Sequence, residues 1–270
     1  VVTEDGAELT GDKYLLANGA SATDLLAASG VALGMQRVFY GVGVSIEIRS
    51  PDFPHSKCIR TPNRGLACGL YTVPYFIAPD MPHDHILIGA SNLISPSPIH
   101  HARVGSTEAL LKGAMEQINS NFYRADLVRV NLGWRPTSQD TYPLLGQTSL
   151  HNLVIATGTK RDGFHLSPLI SQMLCAVLYD ESVDERFAWF APERKPLRPL
   201  DREAAISKAV RHLMSAAYQH GFNPAKSRMP DQLRQMYRED LERLHDSVGA
   251  KDWGIPPEML DMYRYGHAVA

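Results

Sequence analysis

Cysteine is scarce: the 270 residues hold three, Cys58, Cys68 and Cys175, far apart and never in a CxxC pair. An odd, dispersed set argues against a disulfide framework and a thiolate zinc site, and makes a reducing cytoplasm the expected compartment. Long hydrophobic runs are missing as well. No stretch approaches the roughly 18 consecutive apolar residues of a membrane span, so none is expected. The first residues carry neither the basic nor the apolar region of a secretion signal. Charge is nearly balanced, at a net −2, which gives no general attraction to nucleic acid or to an anionic membrane. The one local basic cluster, Glu193-Arg194-Lys195-Pro196-Leu197-Arg198, reads as a solvated linker. Internal repeats and low-complexity tracts are absent.

What is present suits a folded chain of one or two domains: 44% hydrophobic and 21% charged residues. Residues 1–3 and 13–16 read as two arms of a hairpin around Asp5-Gly6. A hairpin alone is marginal, so the chain is expected to begin inside a domain. Residues 23–29 are helical, after an Asn18-Gly19-Ala20-Ser21 turn. In residues 36–50, Val38, Tyr40, Val42, Val44, Ile46 and Ile48 alternate, which predicts a long strand with one buried face. Residues 51–64 read as loop. Residues 66–78 and 85–90 form two more strands around a turn-rich link. Residues 106–118 are helical, with Ser106 or Thr107 as N-cap, and 127–134 are again extended.

Residues 143–146 and 153–156 are short strands. The apolar helix 166–178 has little polar face, so it is expected inside a domain with Cys175 as a buried thiol. Residues 191–200 form a linker by composition. Residues 201–219 and 230–247 are amphipathic helices, and a short last helix starts at 255–258. The pattern predicts a mixed α/β or α+β fold.

Chemistry concentrates in two segments. The first, Gly133-Trp134-Arg135-Pro136 followed by Asp140-Thr141-Tyr142-Pro143-Leu144-Leu145-Gly146, puts an arginine at a strand end. The second runs from strand 153–156 through Gly158-Thr159-Lys160-Arg161-Asp162-Gly163 into Phe164-His165-Leu166 and the apolar helix. A glycine turn with two cations at a helix start can offer N–H groups to an anion. Spacing alone favours an ordinary strand-to-helix connection over a ligand site.

Together these segments resemble the C-terminal signature of the D-amino-acid oxidase and glycine oxidase superfamily of FAD-dependent oxidoreductases. Leu15-Leu16-Ala17-Asn18-Gly19-Ala20 resembles the strand and turn that approach the cofactor's nucleotide part. Tyr75-Phe76-Ile77-Ala78-Pro79 and Ile86-Leu87-Ile88-Gly89-Ala90 resemble a strand pair of the substrate domain. The resemblance covers about residues 1–185. It implies part of a Rossmann-like FAD domain (1–30 and 140–185), a mixed or antiparallel substrate domain (31–139), and a linker with a helical extension (186–270). The Gly-x-Gly-x-x-Gly fingerprint that such a family uses for the dinucleotide is not found in the sequence. The resemblance therefore implies an N-terminal half supplied by the same gene product or by a separate chain.

The same resemblance assigns roles. Arg135 would grip a substrate carboxylate, with Tyr75 beside it in catalysis and Tyr71 and Trp134 also at the substrate. Gly19 and Ala20 would meet the cofactor, as would Arg161, Asp162, Gly163, Phe164, His165 and Leu166. Taken singly, Tyr71 and Tyr75 read more safely as core packing, Trp134 fits core packing at least as well, and His165 reads as a satisfied surface or core histidine rather than a catalytic base. None of the cysteines falls in the cofactor segments, so FAD is expected to be non-covalent. His55, His83, His85, His100 and His101 lack carboxylates at ligand spacing, and no metal is expected. The implied function is hydride removal from an amine-bearing carbon of a small amine or amino acid. The alternative is a non-catalytic subunit that binds a partner through its helical tail, which would equally serve a homo-oligomer.

Overall fold

A computed structural model of the chain describes residues 1–62, 69–76, 78–219, 222–224 and 228–269. Cys68, Ile77 and the first positions of the strand expected from residue 66 lie outside them. The first elements are β1 (Tyr14–Leu16), α1 (Ala22–Ala28), β2 (Val38–Arg49), β3 (Ile59–Arg60), β4 (Tyr71–Pro74), β5 (His85–Gly89) and β6 (Leu93–Ser95). Then come α2 (Val104–Gln117), β7 (Asp126–Ser138), β8 (Leu144–Gln147), β9 (Leu153–Thr157) and α3 (Gly163–Leu178). Helices α4 (Arg202–Gln219), α5 (Met229–Ser247) and α6 (Leu260–Arg264) close the chain. This mixed α/β chain divides into two units, Val1–Gly41 with Arg135–Leu197 and Val42–Trp134 with Arg198–Ala270.

The first unit holds a three-stranded sheet in the order β1-β9-β8. Strand β1 runs parallel to β9, with Tyr14 opposite Leu153 and Leu16 opposite Ile155, while β8 is antiparallel to β9. Helix α3 seats Ile170, Met173, Leu174 and Val177 on Leu145 and Val154, a stripe at i, i+3, i+4 and i+7. Two expectations fail here. The turn at Asp5-Gly6 closes on residues 7–9 through Thr3 N–H to Ala7 O (3.0 Å) and a Val2–Glu8 bridge. Residues 14–16 are thereby left to pair with β9 instead of with residues 1–3. Helix α3 is also not enclosed: Met173 and Leu174 alone are buried in it, and Cys175 is exposed. Only one side of the helix meets the sheet, so its uniform apolarity misleads about burial.

In the second unit the strands run β3-β4-β5-β2-β6, and β7 also pairs with β2. The register sets Ile46 opposite Ile88 and Ile48 opposite Ile86. These side chains and Val44 pack under Leu110 and Ala114 of α2 and under Phe122. The face expected to be polar is closed as well. Glu47 is 3% exposed because His85 Nδ1 (2.8 Å) and the Arg129 guanidinium (2.9 Å) satisfy its carboxylate, as a buried charge requires. Strands β3 and β6 are too short to carry a periodic signal; β3 lies in the segment read as loop. Thr107 turns its hydroxyl back to Arg103 O, and α2 starts at Val104 without a side-chain cap.

Helices α4 and α5 pack on each other, and the turn Pro257–Met259 with α6 packs on β6. At their centre His245 is fully buried. Its Nδ1–H donates to Leu241 O (2.8 Å), and its Nε2 accepts from Ile255 N–H (3.1 Å). Both nitrogens are used by the neutral ring, and burial pushes its pKa down. Among the described residues no helix is long and apolar enough to cross a membrane.

Candidate active site

From Arg135 onward the two segments meet within the first unit. Strand β7 continues through Arg135 and Pro136 to Ser138, further than alternation suggests. Pro136 has no N–H, but its carbonyl accepts the Lys160 N–H at 2.8 Å, and Thr137 bridges Thr159. The residue after Arg135 is thus tied to the loop that opens α3. A Cβ on Gly41 would lie 2.9 Å from Arg135 O, so glycine lets the backbones approach there. Thr157 Oγ1 donates to Gly19 O at 2.7 Å, which joins the Gly19-Ala20 turn to the end of β9; Ala20 is buried.

The loop from Gly158 is tightly held. Gly158 has φ +71°, and a Cβ there would lie 3.2 Å from both Tyr142 O and Leu144 N. Gly158→Ala combines a left-handed backbone with crowding against rigid backbone. It should destabilise the protein by about 1–3 kcal/mol, read as a lower thermal midpoint, whereas Gly30→Ala, strained but in open space, should cost less.

Helix α3 starts at Gly163 without a side-chain cap from Asp162. The N–H groups of Gly163, Phe164 and His165 have no intrahelical acceptor, as at any helix start. They form a donor cluster with partial positive charge. Phe164 is 94% exposed beside them, and His165 Nδ1 lies 3.9 Å from Asp162 Oδ1. Pro168 cannot reach the Phe164 carbonyl one turn back, and the Ser167 hydroxyl takes it at 2.7 Å. The helix therefore keeps its first turn despite the proline.

One cluster escaped the sequence reading. Asp140 is 2% exposed and gathers three stretches of chain. The Arg194 guanidinium pairs with both of its oxygens. The N–H groups of Leu197 (2.7 Å) and Tyr142 (2.9 Å) and the amide of Gln36 (3.1 Å) add to it. Burial pushes the carboxyl pKa up, but Arg194 and these N–H donors outweigh it and hold the value below the ordinary one. Glu193 accepts from Ser149 and from Gly34 N–H. The reading of 193–198 as a solvated linker therefore fails at Arg194, whose side chain is 8% exposed, while Lys195 and Arg198 are exposed. Composition cannot reveal this, because the partner acid lies 54 residues away.

Tyr71, Tyr75 and Trp134 belong to the second unit. The Tyr71 ring lies across Gly89, where a Cβ would sit 2.2 Å from its hydroxyl oxygen. Tyr75 lies one residue beyond β4, and its N–H donates to His85 O (2.9 Å). Trp134 is 37% exposed, and its Nε1–H donates to Ile99 O (2.7 Å) while His100 packs edge-on. The other histidines raised as ligands have neighbours of different kinds. His55 packs edge-on to Phe122, His83 stacks on Phe76, and His85 bonds Glu47. Among the described residues, no three His, Cys, Asp or Glu side chains cluster as a metal site.

Known proteins share the sequence pattern and the fold of this chain. The family model for FAD-dependent oxidoreductases, DAO, matches residues 1–177. The bifunctional protein ThiO/ThiG of Trichormus variabilis is 23% identical over 213 residues, 79% of this chain and 29% of that protein. Among solved structures, glycine oxidase from Geobacillus kaustophilus is 24% identical with a TM-score of 0.54. Iminodiacetate oxidase from Chelativorans sp. BNC1 is 19% identical with a TM-score of 0.57. Each match takes in 71% of this chain and 48% of the solved one. The chain thus spans under a third of that curated relative and about half of those structures. With the family model covering most of its length, the chain belongs to the DAO family of FAD-dependent oxidoreductases.

Proposed function

We propose that the chain forms the part of a flavoenzyme that meets the flavin ring and the substrate carboxylate, in an oxidoreductase acting on an amine or amino acid. The observation that carries this is the 2.8 Å bond from Lys160 N–H to Pro136 O. It ties the residue after Arg135 to the loop that leads into α3. A planar guanidinium pairs with a carboxylate through two parallel bonds and so orients an amino acid. The N–H groups of residues 163–165 favour negative charge in front of them. Gly163, the exposed Phe164, Arg161, Asp162, His165 and Leu166 suit the edge of a planar ring that gains negative charge on reduction, held without a covalent link. Gly19 and Ala20 suit a more distal part of the cofactor.

FAD, when bound, would supply the hydride acceptor for the amine-bearing carbon. The residues of this chain then have two tasks: to hold the carboxylate at Arg135 and to offset charge at the ring edge; no protein base is required where the amine is already neutral. The resulting imine hydrolyses in water without a protein group. The diphosphate of FAD finds no Gly-x-Gly-x-x-Gly turn in these residues. We assign that cradle to an N-terminal half, in the same gene product or a separate chain. Two observations favour such a neighbour: β1 pairs only with β9 among the described strands, and Phe164 and Leu169 of α3 are exposed. A parallel sheet is normally covered and continued.

The test is an absorbance spectrum of the intact protein purified with any partner chain. Near-stoichiometric flavin that bleaches anaerobically with an amine or amino acid is the expected result. A colourless intact protein that cannot be loaded with FAD would refute the proposal.

A further inference from the structure

We infer that Arg194 is a positioning residue: with Asp140 it straps the turn that supports the loop opening α3, and so sets where that loop stands relative to Arg135. The inference rests on the proposed flavin reading of the same site.

The family match ends at residue 177, yet the segment beyond it reaches back into the motif. Arg194 makes a two-pronged pair with Asp140, whose side chain is 1% exposed. The same guanidinium grips the Pro143 carbonyl at 3.1 Å, and Leu197 N–H caps Asp140 at 2.7 Å. Asp140 in turn receives Tyr142 N–H at 2.9 Å. Residues 142–144 are therefore held from both sides.

Those residues form the wall on which Gly158 rests. The space where its Cβ would stand is bounded by Tyr142 O, Leu144 N and Pro143 Cα at 3.2–3.4 Å. Two residues on, Lys160 N–H holds Pro136 O, next to Arg135. One unbroken path of contacts therefore runs from Arg194 through residues 142–144, Gly158 and Lys160 to Pro136. Close-packed interiors transmit small displacements along such a path, and a misplacement of about 1 Å costs about a hundredfold in rate. A planar, forked donor is needed here, because it must serve a carboxylate and a carbonyl at once; an ammonium cannot reproduce that geometry.

The test uses the complete FAD-loaded protein with Arg194→Lys and Arg194→Ala. Three quantities are read: bound flavin, thermal midpoint, and the dissociation constant of acetate from its perturbation of the visible flavin spectrum. KM and kcat are measured beside them. Arg194→Lys is expected to keep its flavin while acetate binding weakens at least tenfold and KM rises more than kcat falls. Arg194→Ala should exceed it in both. If a variant holds flavin and its acetate affinity and KM stay within twofold of the parent, the inference is overturned, even with a lower midpoint. Failure of Arg194→Lys to fold overturns it too, since the pair would then be a folding determinant only. A parent protein without flavin refutes the flavin reading instead, which keeps the two failures apart.

Discussion

Arg135→Met in the intact flavoprotein should lower kcat/KM for an amino-acid substrate by two to three orders of magnitude, mostly through KM. Removing one partner of a desolvated, hydrogen-bonded charge pair costs about 2–5 kcal/mol, because the other charge is left without its counterpart. Methionine preserves most of the side-chain length, so packing changes little. The control is an amine substrate without a carboxylate, whose kcat/KM should move by a few-fold at most. Arg135→Lys should fall between, since it keeps the charge and loses the parallel pair of bonds. Equal losses on both substrate types would mean that Arg135 acts only by holding the end of β7. That outcome is a real competitor, because its carbonyl and Cβ lie against Gly41.

Legibility in the sequence followed the range of the interactions. Strand β2 was readable because alternation over many residues is a local signal, and α5 because its stripe recurs every third or fourth position. The segments around Arg135 and Gly158 were recognisable by residue type and order. Their meeting rests on backbone bonds such as Lys160 N–H to Pro136 O, which leave no mark in composition. The burial of Glu47 was hidden for a related reason. Its partners His85 and Arg129 are 38 and 82 residues away, and period two cannot say whether a polar face is wet or neutralised. Helix α3 erred in the other direction, its apolar surface being only partly used by the sheet beside it.

Asp140→Asn should be the most destabilising single change in the first unit, at about 3–5 kcal/mol. It leaves the Arg194 guanidinium, 8% exposed, without a counter-charge, and it turns an amide donor toward the N–H groups of Leu197 or Tyr142. The loss should depend on pH in a defined sense. Burial raises the Asp140 pKa, but Arg194 and the backbone donors lower it further, so the folded value lies below the ordinary 3.8. A carboxyl with a depressed folded pKa adds stability that is complete above its unfolded pKa and lost as pH falls through the folded value. The gap in thermal midpoint between parent and Asp140→Asn should therefore be full at neutral pH, begin to close near pH 4 and shrink further below it. A gap that stays constant down to pH 2.5 would mean that the acceptor pattern of Asp140 toward the N–H groups of Leu197 and Tyr142, not its charge, holds the strap in place.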